Sequence, residues 1–372
     1  MAENTIILGF VTAFFIVLLT TPSLIKVAKL KHLVDEPSED RKIHRRSIPT
    51  IGGIIIFGAV LFSYALWFPD NYSNNENSTD GYYYIEEALT TFKYLTACLI
   101  LLFFVGVKDD IIGTAPLKKL VAHMLVGFIL VMMGGIKIEG MHGIFGIGEF
   151  FEEWQGVLLS VFVYIVVVNA YNLIDGVDGL AAGIGLINSC MFAGWFYYTG
   201  NVPLALLAMI LAGALLGFLV FNFNPAKIFM GDSGSMVIGA IISVLAISMI
   251  NEDESRVRES MGMLAKIPTP VFAMSVVVYP LVDTLRVFAV RALKGNSPFS
   301  ADRNHIHHRL IACGLSHKKT VLLLYTFNVV VVAASIYFAQ DNATISFFVS
   351  VGIAVGLTLL ILLVFRPKKV KN

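Results

Sequence analysis

Cysteine and charge are scarce in this sequence, and each shortage excludes a class of protein. The chain has only three cysteines, Cys98, Cys190 and Cys313, which are scattered along it. Such spacing supports neither a disulfide framework nor a zinc site built from cysteine pairs. Charged residues make up 14% of the chain and hydrophobic residues 57%. That balance lies well outside the range of soluble globular domains.

Polar segments long enough to bury a core of their own are also missing, so residues 1–372 are predicted to form a single domain. The chain instead contains about eleven apolar windows, each close to the ~20 residues that cross a bilayer. Because lipid offers the backbone no hydrogen-bond partners, they predict an all-α polytopic membrane protein, a bundle of about eleven transmembrane helices. The windows lie at roughly 5–25, 50–68, 91–107, 119–136, 156–171, 180–198, 203–221, 234–250, 268–288, 320–338 and 344–365.

Basic residues orient this predicted bundle. When the loops are assigned to alternate sides, one side together with the C-terminal tail holds 22 of the 27 Lys and Arg residues. Short basic loops stay in the cytoplasm, so the N-terminus is predicted outside and the C-terminus inside. The same inner side holds nearly every group of residues that suggests chemistry. The sequence therefore predicts an active site on the cytoplasmic face.

The stretch NLIDGVDGL carries an amide and two carboxylates between two predicted spans. Asn172, Asp175 and Asp178 are three residues apart, so on a helix they would share one slowly drifting stripe. Their oxygens suit a hard cation or the hydroxyls of a ligand. Gly176 and Gly179 would let a ligand approach the backbone closely. The alternative is a capped helix start beside a solvated loop.

Two other predicted inner loops carry carboxylates beside glycine or lysine. In FMGDSGSM, Asp232 is a candidate Mg²⁺ ligand at a helix start whose N–H groups favour phosphate. The alternative is that Asp232 or Ser233 only caps the next helix.

In KDDIIGTAPLKK, the adjacent Asp109 and Asp110 point in different directions on a helix, so one is expected to face a site and the other to brace a neighbour. A solvated charge cluster is the alternative there.

The stretch DRNHIHHRL concentrates three of the eight histidines, His305, His307 and His308, within four residues. Zinc would need further ligands, and neither a cysteine pair nor a second histidine cluster supplies them. With Arg303 beside them, the histidines are predicted to donate hydrogen bonds to phosphate. The stretch RKIHRRSIPTIGG is also basic, although ordinary anchoring at the cytoplasmic face would explain it equally well.

Together these motifs resemble those of the polyprenyl-phosphate N-acetylhexosamine-1-phosphate transferases. The likeness is greatest to the bacterial branch that uses undecaprenyl phosphate and N-acetylglucosamine. It covers about residues 35–312, and an eleven-span bundle with an outside N-terminus agrees with it. The motifs stand in the family's order as RKIHRRSIPTIGG, KDD, NAYNLIDGVDGLAAG, FNFNPAKIFMGDSGS and DRNHIHHRL.

The resemblance implies a chemical role for the acidic positions. Asp109 corresponds to a proposed base or nucleophile, with Asp110 beside it. Asp175 and Asp178 correspond to a pair that is required for activity and whose role is less settled. The metal expected is Mg²⁺, or Mn²⁺ in its place, and its ligands correspond to Asn172 and Asp232.

The resemblance also implies where the sugar nucleotide binds. A lysine of the family contacts the pyrophosphate, an aromatic ring and an amide lie at the uridine pocket, and a histidine-rich loop closes over the sugar nucleotide. The matching residues of this chain are Lys119 for the pyrophosphate, Phe229 and Asn222 for the uridine pocket, and Arg303, His305, His307 and His308 for the loop.

The reaction implied transfers a sugar-1-phosphate from a UDP-sugar to undecaprenyl phosphate, giving a lipid-diphosphate-sugar and UMP, as the first membrane step of a cell-envelope polysaccharide pathway. A phosphate monoester is already largely dianionic at neutral pH. This favours direct attack, with Asp109 orienting or deprotonating the lipid phosphate, over a phospho-aspartate intermediate. The form HIHHRL, unlike an uninterrupted histidine triplet followed by Phe-Glu, favours N-acetylglucosamine, although relatives that use other N-acetylated hexosamines share it.

The expected partners are the UDP-sugar, undecaprenyl phosphate and the bilayer of the inner (cytoplasmic) membrane, in which the chain is multi-pass. No nucleic acid is expected, and the resemblance implies a homodimer as a common state. Within the family the alternative is a phospho-N-acetylmuramoyl-pentapeptide transferase, and outside it a secondary transporter. A transporter predicts ionisable groups at mid-membrane and a repeat between halves, and the sequence shows neither. A binding-only scaffold would have replaced residues such as Asp109 or Asp232.

Overall fold

The chain folds into a bundle of long helices in the computed structural model, which describes residues 2–31, 33–35, 48–69, 79–150, 152–252, 257, 262, 266–295 and 304–365. Two short antiparallel strands, β1 (Val34–Asp35) and β2 (Ile48–Pro49), lie before the second helix. The helices in these residues are α1 (Ala2–Leu30), α2 (Gly53–Trp67), α3 (Thr79–Ile112), α4 (Pro116–Met132), α5 (Glu153–Ile174), α6 (Leu180–Tyr198), α7 (Val202–Asn222), α8 (Gly231–Ile250), α9 (Thr269–Val276), α10 (Val278–Leu293), α11 (Ile306–Ala312), α12 (His317–Tyr337) and α13 (Ala343–Val364).

The predicted all-α polytopic membrane protein is confirmed, because every apolar window falls on these helices. Seven of the described helices are long and apolar enough to cross a membrane, or eight if α9 and α10 are counted as one bent span. The shorter α2 is also apolar. The total of eleven crossings, the outside N-terminus and the cytoplasmic site stay predictions.

The window at 268–288 predicts one continuous span, whereas the structure breaks it into α9 and α10, which meet at 79°. Pro280 contributes to the break, because it has no N–H to donate to the carbonyl of Val276 one turn earlier. A side chain from α12 supplies that donor instead: the Asn328 amide lies 3.1 Å from the Val276 carbonyl oxygen. The partner is 52 positions away in sequence, so a local apolar pattern cannot predict it.

The helix α8 lies at the centre of the bundle, with 94% of its apolar window buried against 28% for α1 and 17% for α13. Glycines let its first turn fit between α2 and α3. A Cβ atom on Gly53 would lie 2.1 Å from the backbone nitrogen of Gly234, and one on Gly106 would lie 2.4 Å from the Cα atom of Ser233. Small residues allow such close approach between membrane helices. This packing brings the carboxylates at the end of α3 to the start of α8.

We expect Gly53→Ala to lower the thermal stability of the protein, because the new methyl group would meet backbone atoms that cannot rotate away. Overpacking of this kind costs ~1–3 kcal/mol or more. Gly58→Ala on the same helix is the matched control, since a Cβ there has nothing within 4 Å. Thermal unfolding of the two variants in detergent measures the difference. Equal midpoints for both would contradict the close packing of α2 against α8.

Candidate active site

The predicted motifs, as far as they are described, meet at one end of the bundle. The end of α3, the start of α4, the α5–α6 turn and the start of α8 form its centre, with residues 304–308 against the α5–α6 turn. The contacts join distant parts of the chain; Lys119 and Asp232, for example, are 113 positions apart and hydrogen bonded. Residues 41–47 of the basic motif and Arg303 lie outside the described residues, and their roles stay predictions.

A lysine joins two of the predicted acidic residues. The Lys119 ammonium lies 2.6 Å from Oδ2 of Asp109 and also pairs with Oδ2 of Asp232. The three side chains are only 23%, 15% and 25% exposed, respectively. The other Asp109 oxygen, Oδ1, is buried and has no hydrogen-bond partner among the described residues. The alternative of a solvated charge cluster is therefore wrong for Asp109, which keeps one carboxylate oxygen available.

Asp110 points to a different partner, the first turn of α8. Its carboxylate accepts hydrogen bonds from the backbone N–H groups of Asp232 (2.7 Å) and Ser233 (3.1 Å) and from the Ser233 hydroxyl (2.7 Å). Asp110 thereby satisfies helix-start donors that have no partner within a helix. The residue that precedes α8, Met230, makes no capping bond with its side chain. The alternative that Asp232 or Ser233 only caps α8 is thus wrong, and the contacts of Asp110 are those of a positioning residue.

Asp175 lies directly after the last residue of α5 and faces the same centre. Its carboxylate accepts a hydrogen bond from the backbone of Gly231, next to Asp232. Burial, followed by the nearby carboxylates of Asp232 and Asp110, raises the pKa of Asp175 well above its usual range. On α5 itself, the Asn172 amide nitrogen donates to the hydroxyl of Ser235 (3.0 Å). The amide oxygen of Asn172 then remains as its group for a ligand.

The stripe expected for NLIDGVDGL ends with α5, so Asp178 does not continue it. Asp178 instead accepts hydrogen bonds from the side chain of Asn224 (2.8 Å) and from a backbone N–H of the same loop (3.1 Å). The Asn222 amide bonds to backbone at both ends, accepting from Gly179 (3.0 Å) and donating to Ile228 (2.9 Å). Both side chains shape the loop at 223–230 that leads into α8.

Phe229, in that loop, is tied to the segment before α2. Its N–H donates to the carbonyl of Pro49 (2.7 Å), and its own carbonyl accepts from Gly52 (3.0 Å). The described part of the RKIHRRSIPTIGG motif therefore supports the start of α8. The roles of Phe229 and Asn222 at a uridine pocket stay predictions, with the Asn222 amide already engaged by backbone.

Asp283 of α10, which the sequence did not single out, holds residues 304–308, the histidine loop. It is fully buried, and its carboxylate accepts from the backbone N–H of Ile306 (2.9 Å) and lies 3.1 Å from Nδ1 of His305. Arg286, one turn later, lies 3.2 Å from the same carboxylate. The available signal was an acidic residue inside an apolar window with a basic residue three positions on. Such a pair within a span is rarely without function.

The histidine loop packs against the α5–α6 turn at a glycine. A Cβ atom on Gly176 would lie 3.2 Å from Nε2 of His307 and 3.8 Å from Nε2 of His308. His307 is fully buried, and burial lowers its pKa to about 3. Among the described residues, no group of three or more His, Cys, Asp or Glu side chains is arranged to hold a metal ion.

The charges of the centre nevertheless fit a hard cation that is bound partly by substrate. Lys119 pairs with the carboxylates of Asp109 and Asp232, and the carboxylate of Asp175 lies close to that of Asp232. Asp109 Oδ1 has no partner in the described structure, and Asn172 adds an amide oxygen. Mg²⁺ is commonly bound through one or two carboxylates with substrate phosphates and water as its other ligands. Asn172 and Asp232 suit that type of site, with Asp109 close by.

The comparisons with known proteins agree with this geometry. The model of the family described as "Glycosyl transferase family 4" matches residues 92–250. The chain is 31% identical, over 346 residues, to a protein of Bacillus subtilis (strain 168) named probable undecaprenyl-phosphate N-acetylglucosaminyl 1-phosphate transferase. That match covers 92% of this chain and 88% of the relative. The chain belongs to the polyprenyl-phosphate N-acetylhexosamine-1-phosphate transferase family.

Further relatives extend the same family across bacteria. A decaprenyl-phosphate N-acetylglucosaminephosphotransferase of Mycolicibacterium smegmatis is 32% identical over 339 residues, covering 87% of this chain and 80% of the relative. An undecaprenyl-phosphate alpha-N-acetylglucosaminyl 1-phosphate transferase of Escherichia coli (strain K12) is 29% identical over 304 residues, covering 80% and 74% respectively. The resemblance drawn from the five motifs is confirmed.

Proposed function

We propose that this protein transfers N-acetylglucosamine-1-phosphate, or a related N-acetylhexosamine-1-phosphate, from a UDP-sugar to a polyprenyl phosphate such as undecaprenyl phosphate, releasing UMP. The observation that carries this proposal is the Lys119 ammonium held between Asp109 and Asp232 at one end of a membrane bundle. The names of the relatives supply the substrates, since each describes a polyprenyl-phosphate N-acetylglucosamine-phosphate transferase.

The reaction brings two anions together, and the site is built to neutralise them. An oxygen of the lipid phosphate bonds to the β-phosphorus of the UDP-sugar, and the bond from that phosphorus to the oxygen shared with the α-phosphorus breaks. The shared oxygen leaves on UMP. Lys119 offsets the negative charge that builds up on these groups. Asp109, whose Oδ1 is free of protein partners in the described structure, orients the lipid phosphate or takes its proton.

A Mg²⁺ ion held by Asn172 and Asp232 would supply further charge neutralisation at the phosphates. The chain's own residues have separate tasks around it. Asp110 fixes the first turn of α8 and so the position of Asp232. Asp178 and Asn222 fix the loop before that turn. Positioning and charge supply most of the rate in phosphoryl transfer, so no covalent intermediate on Asp109 is required.

An apolar groove supports a lipid as the second substrate. The groove, of about 390 Å³, lies between α9 and α10 on one side and α12 and α13 on the other. Its walls are mostly aliphatic, and Arg286 is among its lining residues. The same arginine donates to the carbonyl of Asn304 at the start of the histidine loop. The groove therefore has walls suited to an isoprenoid chain, and through Arg286 it adjoins the start of the histidine loop.

Release of UMP from UDP-N-acetylglucosamine by the detergent-solubilised protein tests the function. We expect UMP only when undecaprenyl phosphate and Mg²⁺ are both present. We also expect a higher KM for a short water-soluble prenyl phosphate, which cannot fill the groove. A parallel assay with UDP-N-acetylgalactosamine tests the sugar. UMP release that does not need the lipid, or none with any polyprenyl phosphate, would overturn the proposal.

We infer further that the site faces the cytoplasm of the inner membrane, because its residues come from the side of the predicted bundle that holds 22 of the 27 Lys and Arg residues. A homodimer and the use of Mn²⁺ stay predictions. None of the relatives described above carries the name of a muramoyl-pentapeptide transferase or a transporter, so nothing here favours either alternative.

A further inference from the structure

Buried polar side chains form a continuous chain through the middle of the bundle. The Asn188 amide on α6 donates to the hydroxyl of Tyr171 on α5 (2.6 Å). The Asn328 amide on α12 donates to the Asn188 oxygen (3.0 Å) and accepts from the backbone N–H of Tyr279 on α10 (3.3 Å). The Tyr279 hydroxyl lies 3.4 Å from Nδ1 of His307. All five residues are fully buried, so water cannot replace these bonds.

Asn328 replaces a peptide group that the broken span lacks. In an unbroken helix the residue at 280 would donate to the carbonyl of Val276, but Pro280 has no N–H. The Asn328 amide donates to that carbonyl (3.1 Å) and accepts from the N–H of Tyr279 on the other side of the break. With its second N–H on Asn188, both ends of the amide are used. Asn328 thereby fixes the start of α10 and the position of Tyr279 in its first turn.

The Tyr279 hydroxyl is the group next to Nδ1 of His307, and it can either donate to that nitrogen or accept from it. Burial lowers the pKa of His307 to about 3, so the ring is neutral at physiological pH. A neutral imidazole has one N–H donor and one acceptor. Nδ1 lies 3.4 Å from the Tyr279 hydroxyl but 3.8 Å from the nearest Asp283 oxygen, beyond hydrogen-bond distance. A hydroxyl that donates to Nδ1 places the proton on Nε2.

The Nε2 atom has no partner among the described residues, although it is buried. It lies on the side of Gly176, where even a methyl group would come within 3.2 Å. Gly176 directly follows Asp175, whose carboxylate faces the Asp232 region. A donor at Nε2 is therefore aimed at the α5–α6 turn beside the charged centre.

We propose that Asn328 is a positioning residue for the transfer reaction. It fixes Tyr279, whose hydroxyl donates to Nδ1 of His307 and so keeps the proton on Nε2. The Nε2–H group then points toward the α5–α6 turn and donates to the diphosphate of the sugar nucleotide. The inference rests on the proposed function, in which that diphosphate binds at Lys119 and the histidine loop. A donor displaced by 1 Å is enough to cost ~10²-fold in rate.

A double-mutant cycle tests the path from Asn328 to His307. We expect Asn328→Leu and Tyr279→Phe each to lower kcat by ~10-fold or more, with a smaller change in KM for UDP-N-acetylglucosamine. In a His307→Asn background either change should have little further effect, because residues that act through one another are not additive. His307→Gln, which places an N–H near the Nε2 position, should retain more activity than His307→Asn. Ser189→Ala removes a buried hydroxyl that has no partner in the described structure and is the control expected to be neutral.

A readout that does not depend on activity separates failure of this inference from failure of the proposed function. In protein with ¹⁵N-labelled histidine, the signal assigned through His307→Gln should show the Nε2–H form in the wild type. That form should be lost in Tyr279→Phe, which keeps the size of the ring. This variant also serves as the test if Asn328→Leu fails to fold. An Nδ1–H form in the wild type, or additive effects in the cycle, would overturn the inference. Absence of UMP release with an intact Nε2–H signal would instead overturn the proposed function.

Discussion

Asp232→Asn is expected to lower the rate of UMP release by ~10³-fold at saturating Mg²⁺, the upper range for removing one group that stabilises the transition state. The change keeps the size of the side chain but removes the negative charge that pairs with Lys119. It also removes one carboxylate from the proposed Mg²⁺ site. The thermal midpoint should stay close to that of the wild type, because the bonds from Asp110 to the first turn of α8 use backbone groups of Asp232 and Ser233 and survive.

The matched control is Asp341→Asn, which removes the same charge from an exposed position between α12 and α13. We expect that variant to turn over normally. Assays of UMP release over a range of Mg²⁺ concentrations, with thermal unfolding of the same preparations, separate the two effects. Near-normal turnover of Asp232→Asn at high Mg²⁺ would remove Asp232 from the proposed metal site. Loss of folding together with loss of activity would show that the pair of Asp232 and Lys119 serves to stabilise the fold.

The architecture and the members of the site could largely be predicted from the sequence, because each depends on a local signal. An apolar window of membrane length has few alternatives to a helix, and charges at one edge of such windows identify the loops that carry chemistry. Those grounds predict Asp109 and Asp232, the resemblance adds Lys119, and the structure joins the two carboxylates through that lysine. The pair of Lys119 and Asp232 joins residues 113 positions apart, which no local pattern could predict.

The different contacts of the acidic residues could not be predicted, because the spacing of residues in the sequence does not reveal which group each carboxylate bonds to. The three-residue spacing of Asn172, Asp175 and Asp178 indicates a shared stripe only while the helix continues, and α5 ends at Ile174. Asp178 therefore bonds to the loop before α8, and Asp175 faces Asp232. The adjacent Asp109 and Asp110 similarly diverge, one to Lys119 and the other to backbone N–H groups.

The broken span shows the same limit more strongly. Its hydropathy is continuous across 268–288, so the window predicts one helix. The break depends on Pro280, which is visible in the sequence, and on Asn328, whose contribution exists only after α12 has packed against α9. Asp283 was missed for a related reason. The role of this buried acid depends on its bonds to the histidine loop, which follows it by more than twenty positions in the sequence.

Asp283→Ala is expected to lower kcat/KM for UDP-N-acetylglucosamine by ~10²-fold or more, through loss of position in the histidine loop. The Asp283 carboxylate accepts from the N–H of Ile306 and binds His305, so it sets where the loop begins. Its removal also leaves Arg286, only 17% exposed, without its counter-ion. Breaking a buried pair in this way destabilises a protein by ~3–5 kcal/mol. Both activity and the thermal midpoint should therefore fall.

Two further variants separate the loop from the ion pair. Asp283→Asn keeps an oxygen for the N–H of Ile306 but loses the charge, and we expect it to retain more activity than Asp283→Ala. The double change Asp283→Ala with Arg286→Met removes both charges, which is often far less destabilising than removing one. Stability should then recover while kcat/KM stays low, since nothing replaces the acceptor for the loop. Recovery of activity along with stability would show that Asp283 serves only to neutralise Arg286.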